Sequence, residues 1–203
     1  MRVAIVGGPG IGKSTLVRQL GDLYHNGSYG EGEKGVWHPL VLEDIAAGRN
    51  AVGVTAYFAA LYDANYRDAA ANDHASKVIF FEGARITLEA HFAEYPPEDH
   101  AALQSVLAAG DWWNPDRVIV LTSSTDTIEK HIRIRNRPHE SVDNMIRRFQ
   151  LIDREFRRLA PSYPNTVVID RDGLEFHERQ GLEAIIAAAG LPRFREIPYD
   201  RFS

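Results

Sequence analysis

Residues 7–14 have the types and spacing of a phosphate-binding loop. They read Gly-Gly-Pro-Gly-Ile-Gly-Lys-Ser, which matches the pattern G-x-x-x-x-G-K-[ST]. Glycines at these positions let backbone N–H groups point at phosphate oxygens, and the dipole of a following helix adds partial positive charge. The lysine can bridge β- and γ-phosphates, and the serine hydroxyl can ligate Mg²⁺. We therefore expect a nucleoside triphosphate to contact Gly8, Pro9, Gly10, Ile11, Gly12, Lys13, Ser14 and Thr15.

The segments on either side of this loop are those that the motif requires. Residues 2–6 are a β-branched, apolar run that is typical of a buried parallel strand. Residues 15–20 have the pattern of the opening turns of a helix. This strand, loop and helix order argues against the alternative of a glycine-rich turn that matches by accident.

A second candidate site residue ends an apolar run. Residues 78–81 read Val-Ile-Phe-Phe and are followed by Glu82, which predicts a carboxylate at the end of a buried strand. Such a carboxylate can hold Mg²⁺ directly or through water, or orient an attacking hydroxyl. Arg85 follows closely enough to reach the same cavity. The alternative is an acid in an ordinary turn, with Arg85 as a surface charge.

A third segment is rich in arginine. Arg133, Arg135 and Arg137 cannot share one helical face, because residues i and i+2 point apart. They suit a helix that ends in a loop and closes over a phosphate chain, so we expect an arginine-bearing lid over about residues 131–141. Guanidinium groups stabilise the equatorial oxygens of a transferring phosphoryl group. The alternative is a solvated basic helix that pairs with Glu129, Glu140 and Asp143.

Strand and helix patterns alternate along the chain. We predict strands over residues 2–6, 36–42, 78–81, 117–121 and 166–169. Alternation of this kind predicts an α/β fold with a five-stranded parallel sheet and helices on both faces. Ligands of such sheets bind at the carboxyl ends of the strands, which would bring the phosphate loop, Glu82 and Glu43 or Asp44 to one edge.

The helices can be placed from their apolar spacing. A helix over residues 52–71 carries clustered aromatic side chains (Tyr57, Phe58 and Tyr62) that could form a wall for a nucleobase or simply pack the core. Asp126 is a candidate N-cap of the next helix. A further helix begins near Ser141, with apolar residues at spacings of three and four. Residues 182–189 form the last helix.

Size and composition indicate a single domain over residues 1–203. The chain has 44% hydrophobic and 25% charged residues, as in ordinary globular proteins. It contains no cysteine, which excludes disulfides and thiolate metal ligands. No apolar run approaches the ~20 residues that span a bilayer, and the N-terminus does not have a signal-peptide pattern. We expect a cytoplasmic protein without a membrane partner.

The charge distribution points to a local anion site. The net charge is −5, yet the segment from Lys130 to Arg158 has nine basic and four acidic residues. An acidic body with one basic segment disfavours a general nucleic-acid surface. A homodimer is left open.

Together these segments resemble the deoxynucleoside kinases and the related thymidylate-kinase-like P-loop kinases. Members have an apolar strand ending in Glu-Arg-Ser, a later Phe-Ala, a Pro-Asp-apolar strand and a lid of the form R-x-x-x-R-G-R-x-x-E. The corresponding residues here are Glu82, Phe92-Ala93, Pro115-Asp116 and the segment His131-x-x-x-Arg135-Asn136-Arg137-x-x-Glu140. The resemblance covers the phosphate loop and about residues 77–159, and it implies the P-loop NTPase fold.

Three positions depart from that pattern. The Glu-Arg-Ser triplet is Glu82-Gly83-Ala84, and the first lid arginine is His131. The Glu-Pro that orients the acceptor after the second strand is missing. Glu43-Asp44 follows a candidate strand and is the best substitute, whereas Glu31 and Glu33 fit the family's spacing better but lie in a glycine-rich segment.

The resemblance implies an ATP- and Mg²⁺-dependent kinase that acts on the 5′-hydroxyl of a nucleoside or deoxynucleoside. Lys13, Glu43, Arg85, Arg135 and Arg137 would be its catalytic residues. Arg133 would contact the nucleotide, and Ser14 with Glu82 would hold the metal.

Three alternatives stay open. A nucleoside monophosphate kinase would use Arg49, Arg67 and Arg85 toward its charged acceptor. A P-loop kinase of this fold could act on another hydroxyl, such as that of a modified nucleotide or a nucleic acid. A nucleotide-gated binding protein is the non-enzymatic alternative; Asp170-Arg171-Asp172-Gly173 matches the D-x-x-G of switch GTPases but follows the last strand.

Overall fold

A parallel sheet of five strands organises the chain. The computed structural model describes residues 1–25, 27–31, 38–72, 78–110, 112–135 and 141–193. The strands are β1 (Arg2–Gly7), β2 (Ser28–Tyr29), β3 (Ile79–Glu82), β4 (Arg117–Thr122) and β5 (Thr166–Asp170). They lie side by side in the order β2-β3-β1-β4-β5, and every pairing is parallel. The predicted α/β fold class is confirmed.

β1 lies at the centre of the sheet because both of its faces are apolar. Its residues from Val3 to Val6 are fully buried, as a central parallel strand requires. Ile5 is in register with Glu82 of β3 on one side and with Ile119 of β4 on the other. This register brings the end of β3 beside the start of the phosphate loop.

The prediction of a strand over residues 36–42 is wrong. The second strand is the short β2, and residues 39–47 form a helix. Proline suits the first turn of a helix, where its missing N–H is not needed, and Pro39 occupies that position. His38 Nδ1 accepts a hydrogen bond from the Leu40 N–H at 3.4 Å and caps the helix.

Eight helices connect and cover the strands of the described part of the chain. They are α1 (Lys13–Leu23), α2 (Pro39–Ala47), α3 (Ala51–Ala71), α4 (Arg85–His91), α5 (His100–Ala109), α6 (Thr125–Arg135), α7 (Val142–Leu159) and α8 (Arg179–Ala188). None of these helices is long and apolar enough to cross a membrane, as far as the described residues extend.

The predicted helix starts are confirmed for α3 and α7, but not for α6. The Ser141 hydroxyl caps α7 by accepting from the Asn144 N–H at 3.5 Å. α6 begins earlier than predicted, since the Ser124 hydroxyl accepts from the Thr127 N–H at 3.3 Å. Asp126 therefore lies in the first turn and is not the cap.

Alternate residues of the central strands pack against helices on the two faces of the sheet. Val3 and Ile5 of β1 belong to one cluster with buried side chains of α1, α6 and α8. Ala4 and Val6 belong to another with α4 and α7, through residues such as Phe156. A third cluster joins α3 and α5 to the outer side of β3. The period of two in β1 thus produces the three-layer arrangement.

An ion-pair cluster fixes α7 to the turn that follows α4. Arg148 of α7 donates through Nε and Nη2 to the two carboxylate oxygens of Glu94, and His91 Nδ1 lies 2.5 Å from Glu94 Oε2. Burial raises the pKa of Glu94, but the bonds from His91 and Arg148 outweigh it and hold this pKa at about 2.

Replacing Glu94 with Gln should destabilise the protein by about 2 kcal/mol at neutral pH, allowing for the partial exposure of Arg148. The folded pKa lies below the ordinary value of 4.5, so the contribution is complete at neutral pH and is lost as the pH falls through 4.5 toward 2. Denaturant unfolding at pH 7 and at about pH 3 measures the loss. The exposed Glu98, changed to Gln, is the control. An equal difference at both pH values would contradict the assignment.

Candidate active site

The phosphate loop joins β1 directly to the N-terminus of α1. Gly12 immediately precedes α1 with φ of 93°, a left-handed conformation, and no side chain caps the helix. A β-carbon is strained at this φ, which accounts for the glycine. The N–H groups of the first turn therefore face the loop without a side-chain acceptor, which is the arrangement that binds anions.

Helices α6 and α7 hold the phosphate loop from two sides. A β-carbon on Gly8 would lie 2.6 Å from the Phe149 ring of α7, so a larger residue at this position would push the helix away. A β-carbon on Gly10 would lie 3.3 Å from Ile132 of α6. The loop thus contacts both helices that flank the predicted lid.

Arg171 contacts the backbone of the phosphate loop. It is not among the site residues predicted from sequence. Its buried guanidinium donates to the Ile11 carbonyl at 2.6 Å and lies 4.3 Å above the Phe176 ring. Its Nη2 is 3.5 Å from Nε2 of His131. The Asp-Arg-Asp-Gly segment after β5 was the only sequence signal for this residue.

His131 occupies the position at which the resembled family has its first lid arginine. Burial, followed by the nearby Arg171 charge, lowers the pKa of His131 below its ordinary value. A neutral imidazole accepts a hydrogen bond from Arg171, whereas an arginine would place a second positive charge against it. His131 is therefore compatible with the buried Arg171 beside it, whereas a second arginine at this position would be repelled.

The structure brings together Lys13, Ser14 and Glu82, as predicted. The Ser14 hydroxyl donates to Glu82 Oε1 at 3.0 Å, and Lys13 Nζ donates to the Gly8 carbonyl at 3.3 Å. Burial of Glu82, followed by the charge of Glu31, raises the pKa of Glu82. A hydroxyl and a buried carboxylate are the hard oxygen donors that Mg²⁺ prefers, so Ser14 and Glu82 fit the metal.

Glu31 completes this group from the loop after β2. Its backbone N–H donates to Glu82 Oε2 at 3.3 Å, and its Oε1 accepts from the Tyr62 hydroxyl at 2.5 Å. The spacing of Glu31 from Lys13 fits the resembled family, but the sequence alone favours Glu43. Two carboxylates therefore lie side by side next to Lys13 and Ser14.

Glu43 and Asp44 lie elsewhere, which corrects their predicted position at the end of a strand. Both belong to α2, and the Glu43 side chain is 62% exposed, 4.0 Å from Arg49. Asp44 accepts from Asn50 Nδ2 and Arg49 Nε, each at 2.7 Å. These bonds lower the pKa of Asp44 and tie α2 to the turn that precedes α3. Glu33 lies outside the described residues.

Two of the predicted arginines form ion pairs within their own helices. Arg85 pairs with Glu89 one turn along α4 at 3.0 Å, and Arg133 pairs with Glu129 along α6 at 2.6 Å. Arg135 is the last residue of α6, the helix that packs on Gly10. Arg137 lies outside the described residues, as does the rest of the lid over 136–140.

Comparisons with known proteins find similarity in structure alone. No family model and no curated protein matches the sequence. A deoxyadenosine kinase from M. mycoides, solved with the products dCMP and dCDP, has a TM-score of 0.70 at 17% identity, with 92% of this chain and 97% of that chain covered. The chain has the P-loop NTPase fold.

Two further solved structures share this fold. A thymidylate kinase from Candida albicans has a TM-score of 0.64 at 14% identity, over 92% of this chain and 90% of that one. A NadR protein in complex with NR has a TM-score of 0.57 at 20% identity, and this chain covers 53% of its length. The resemblance predicted from the motifs is thus confirmed for the fold.

Changing Arg171 to Met should weaken ATP binding about tenfold, or about 1.4 kcal/mol. The methionine keeps an apolar stem against Phe176, but the Ile11 carbonyl loses its donor and the loop amides are held less firmly. Titration calorimetry with ATP measures the change. Arg179→Met, at an exposed position of α8, is the control, and equal affinity in the two variants would show that Arg171 has no such role.

Proposed function

We propose that the protein transfers the γ-phosphoryl group of ATP to the 5′-hydroxyl of a nucleoside or deoxynucleoside in a Mg²⁺-dependent reaction. One observation carries the proposal. Glu82 bonds on one side to Ser14 of the phosphate loop and on the other to the backbone of Glu31. A donor site and an acidic acceptor site therefore meet at a single buried carboxylate.

The donor side binds and orients the triphosphate. The loop amides and the N-terminus of α1 surround the phosphates, and Lys13 is placed to exchange its bond with the Gly8 carbonyl for phosphate oxygens. Ser14 and Glu82 would hold Mg²⁺, which supplies charge neutralisation between the β- and γ-phosphates when bound. The packing of α6 and α7 against the glycines of the phosphate loop supports the shape of this loop.

Glu31 acts on the acceptor side. Its carboxylate is held by Tyr62 and its backbone by Glu82, and we assign it to the acceptor hydroxyl that attacks in line with the γ-phosphate. It would orient that hydroxyl and accept its proton as the oxygen attacks. Arg135, with Arg137, would stabilise the charge that develops on the transferred group.

The charges around Glu31 favour an uncharged acceptor. Three arginines are candidates to bind a phosphate group on the acceptor, but each forms an ion pair with a nearby carboxylate. Arg49 bonds Asp44, Arg67 bonds Asp63 at 2.8 Å, and Arg85 bonds Glu89. Two carboxylates at the site repel a second phosphate, so a nucleoside monophosphate is the weaker candidate.

An aromatic surface on α3 supports a nucleoside. Phe58 is half-buried between Tyr57 and Tyr62, with ring centroids 5.4 and 6.3 Å away. Partly exposed rings next to a carboxylate pair suit the stacking of a base. The M. mycoides kinase, solved with the products dCMP and dCDP, supports the broader class of nucleoside and nucleotide acceptors.

The arginine-rich helix α7 gives little support to a nucleic-acid acceptor. Arg148 bonds Glu94, Arg157 bonds Asp153 at 2.7 Å, and Arg158 bonds Glu155 at 2.7 Å. Much of the positive charge of α7 is therefore neutralised within the fold. This favours a small-molecule acceptor over a polyanion.

Changing Lys13 to Ala should lower kcat by roughly two to three orders of magnitude, because the variant loses the cation at the transferring phosphate. The assay follows label from γ-labelled ATP into a panel of nucleosides and deoxynucleosides. Labelled nucleoside from the wild type but not from the variant supports the proposal. Normal turnover in the variant would overturn it.

Changing Glu31 to Gln should lower kcat roughly a hundredfold or more, since the amide cannot accept a proton. Glu43→Gln, at the exposed α2 position, should stay within about twofold of wild type. The same label-transfer assay compares the two variants under saturating ATP. A large loss in Glu43→Gln, with Glu31→Gln active, would restore the acid suggested by sequence alone.

A further inference from the structure

We propose that Tyr62 is the positioning residue for Glu31, and that the Tyr62–Gly83 contact makes the acceptor site specific for an uncharged hydroxyl. This inference rests on the proposed function and deepens it. From sequence alone, Tyr62 is predicted to line a nucleobase or to pack in the core. Three contacts join α3, the end of β3 and the loop after β2.

Tyr62 gives Glu31 an anchor on a rigid element. Glu31 follows a strand of only two residues, so little secondary structure fixes its side chain. Tyr62 is 2% exposed on the long helix α3, and its hydroxyl donates to Glu31 Oε1. The backbone N–H of Glu31 is held separately by Glu82. Glu31 is therefore held at two points, its carboxylate by Tyr62 and its backbone by Glu82, as the positioning of a catalytic group requires.

Gly83 leaves the space that the Tyr62 hydroxyl occupies. Its φ is 90°, and a β-carbon there would lie 2.3 Å from Tyr62 Cζ and 2.6 Å from its hydroxyl oxygen. Any side chain at position 83 would displace the hydroxyl from Glu31. The Tyr66 hydroxyl, one turn further along α3, donates to the Gly83 carbonyl at 3.1 Å and holds the same segment in place.

The presence of glycine at position 83, where the resembled family has arginine, changes the charge of the site. The resembled family has an arginine in the triplet where Gly83 stands, whereas here the donor next to the carboxylates is a phenol. Burial, followed by the charge of Glu31, raises the pKa of Tyr62 well above its ordinary value, so the phenol stays a neutral donor. The phenol thus adds no positive charge beside the two carboxyl groups, whereas an arginine would supply a cation that could bind an acceptor phosphate.

The test compares Tyr62→Phe with Tyr66→Phe. Each variant keeps its ring and loses one hydroxyl hydrogen bond to the same region, and the melting temperatures measure the structural cost of each. Tyr62→Phe should lower kcat for nucleoside phosphorylation roughly tenfold to a hundredfold with the KM for ATP unchanged. Tyr66→Phe should stay within about threefold of wild type.

A double variant shows whether Tyr62 acts through Glu31. Tyr62→Phe should cause no further loss of kcat in a Glu31→Gln background, because the group that it positions is already inactive. Gly83→Ala keeps the hydroxyl but displaces it, and it should lower kcat in the same direction with the KM for ATP again unchanged.

The outcomes separate this inference from the proposed function. Equal activity of Tyr62→Phe and Tyr66→Phe, or an undiminished loss in the Glu31→Gln background, would overturn the role of Tyr62 while nucleoside phosphorylation by the wild type still stood. Absence of label in every nucleoside with the wild-type enzyme would overturn the proposed function, and this inference with it.

Discussion

The buried carboxylate of Glu82 is the group on which the rest of the site depends. A carboxylate that is 5% exposed is stable only where partners compensate its lost hydration. The parallel register with Ile5 brings it to the mouth of the phosphate loop, and its hydrogen-bond donors are Ser14 and the backbone of Glu31. The requirement to satisfy one buried charge therefore joins the donor side and the acceptor side.

The phosphate loop is held from outside as well as from within. Phe149 and Ile132 pack on its glycines, and Arg171 bonds its Ile11 carbonyl. The Glu94 cluster holds the N-terminal half of α7 through Arg148. Helices α6 and α7, which flank the predicted lid, therefore both pack against the phosphate loop.

Local signals account for what the sequence predicted correctly. The phosphate loop and the apolar run ending in Glu82 are contiguous, and their placement at one edge of the sheet follows from residue order alone. The helix at Pro39 was missed because a short apolar run fits a strand or a helix equally well. Glu31 is ranked below Glu43 from sequence, and Arg171 is not predicted at all, for another reason. Tyr62 meets Glu31 across 31 residues and Arg171 meets Ile11 across 160, and no local pattern encodes such contacts.

Competition between acceptors is the most direct test of the central claim, that a donor site and an uncharged-acceptor site share Glu82. The enzyme would receive γ-labelled ATP, Mg²⁺ and an equimolar mixture of nucleosides and their 5′-monophosphates, and the products would be separated by anion-exchange chromatography. The account predicts label in nucleoside monophosphates at early times. Label that appears first in diphosphates, with the nucleosides unchanged, would contradict it.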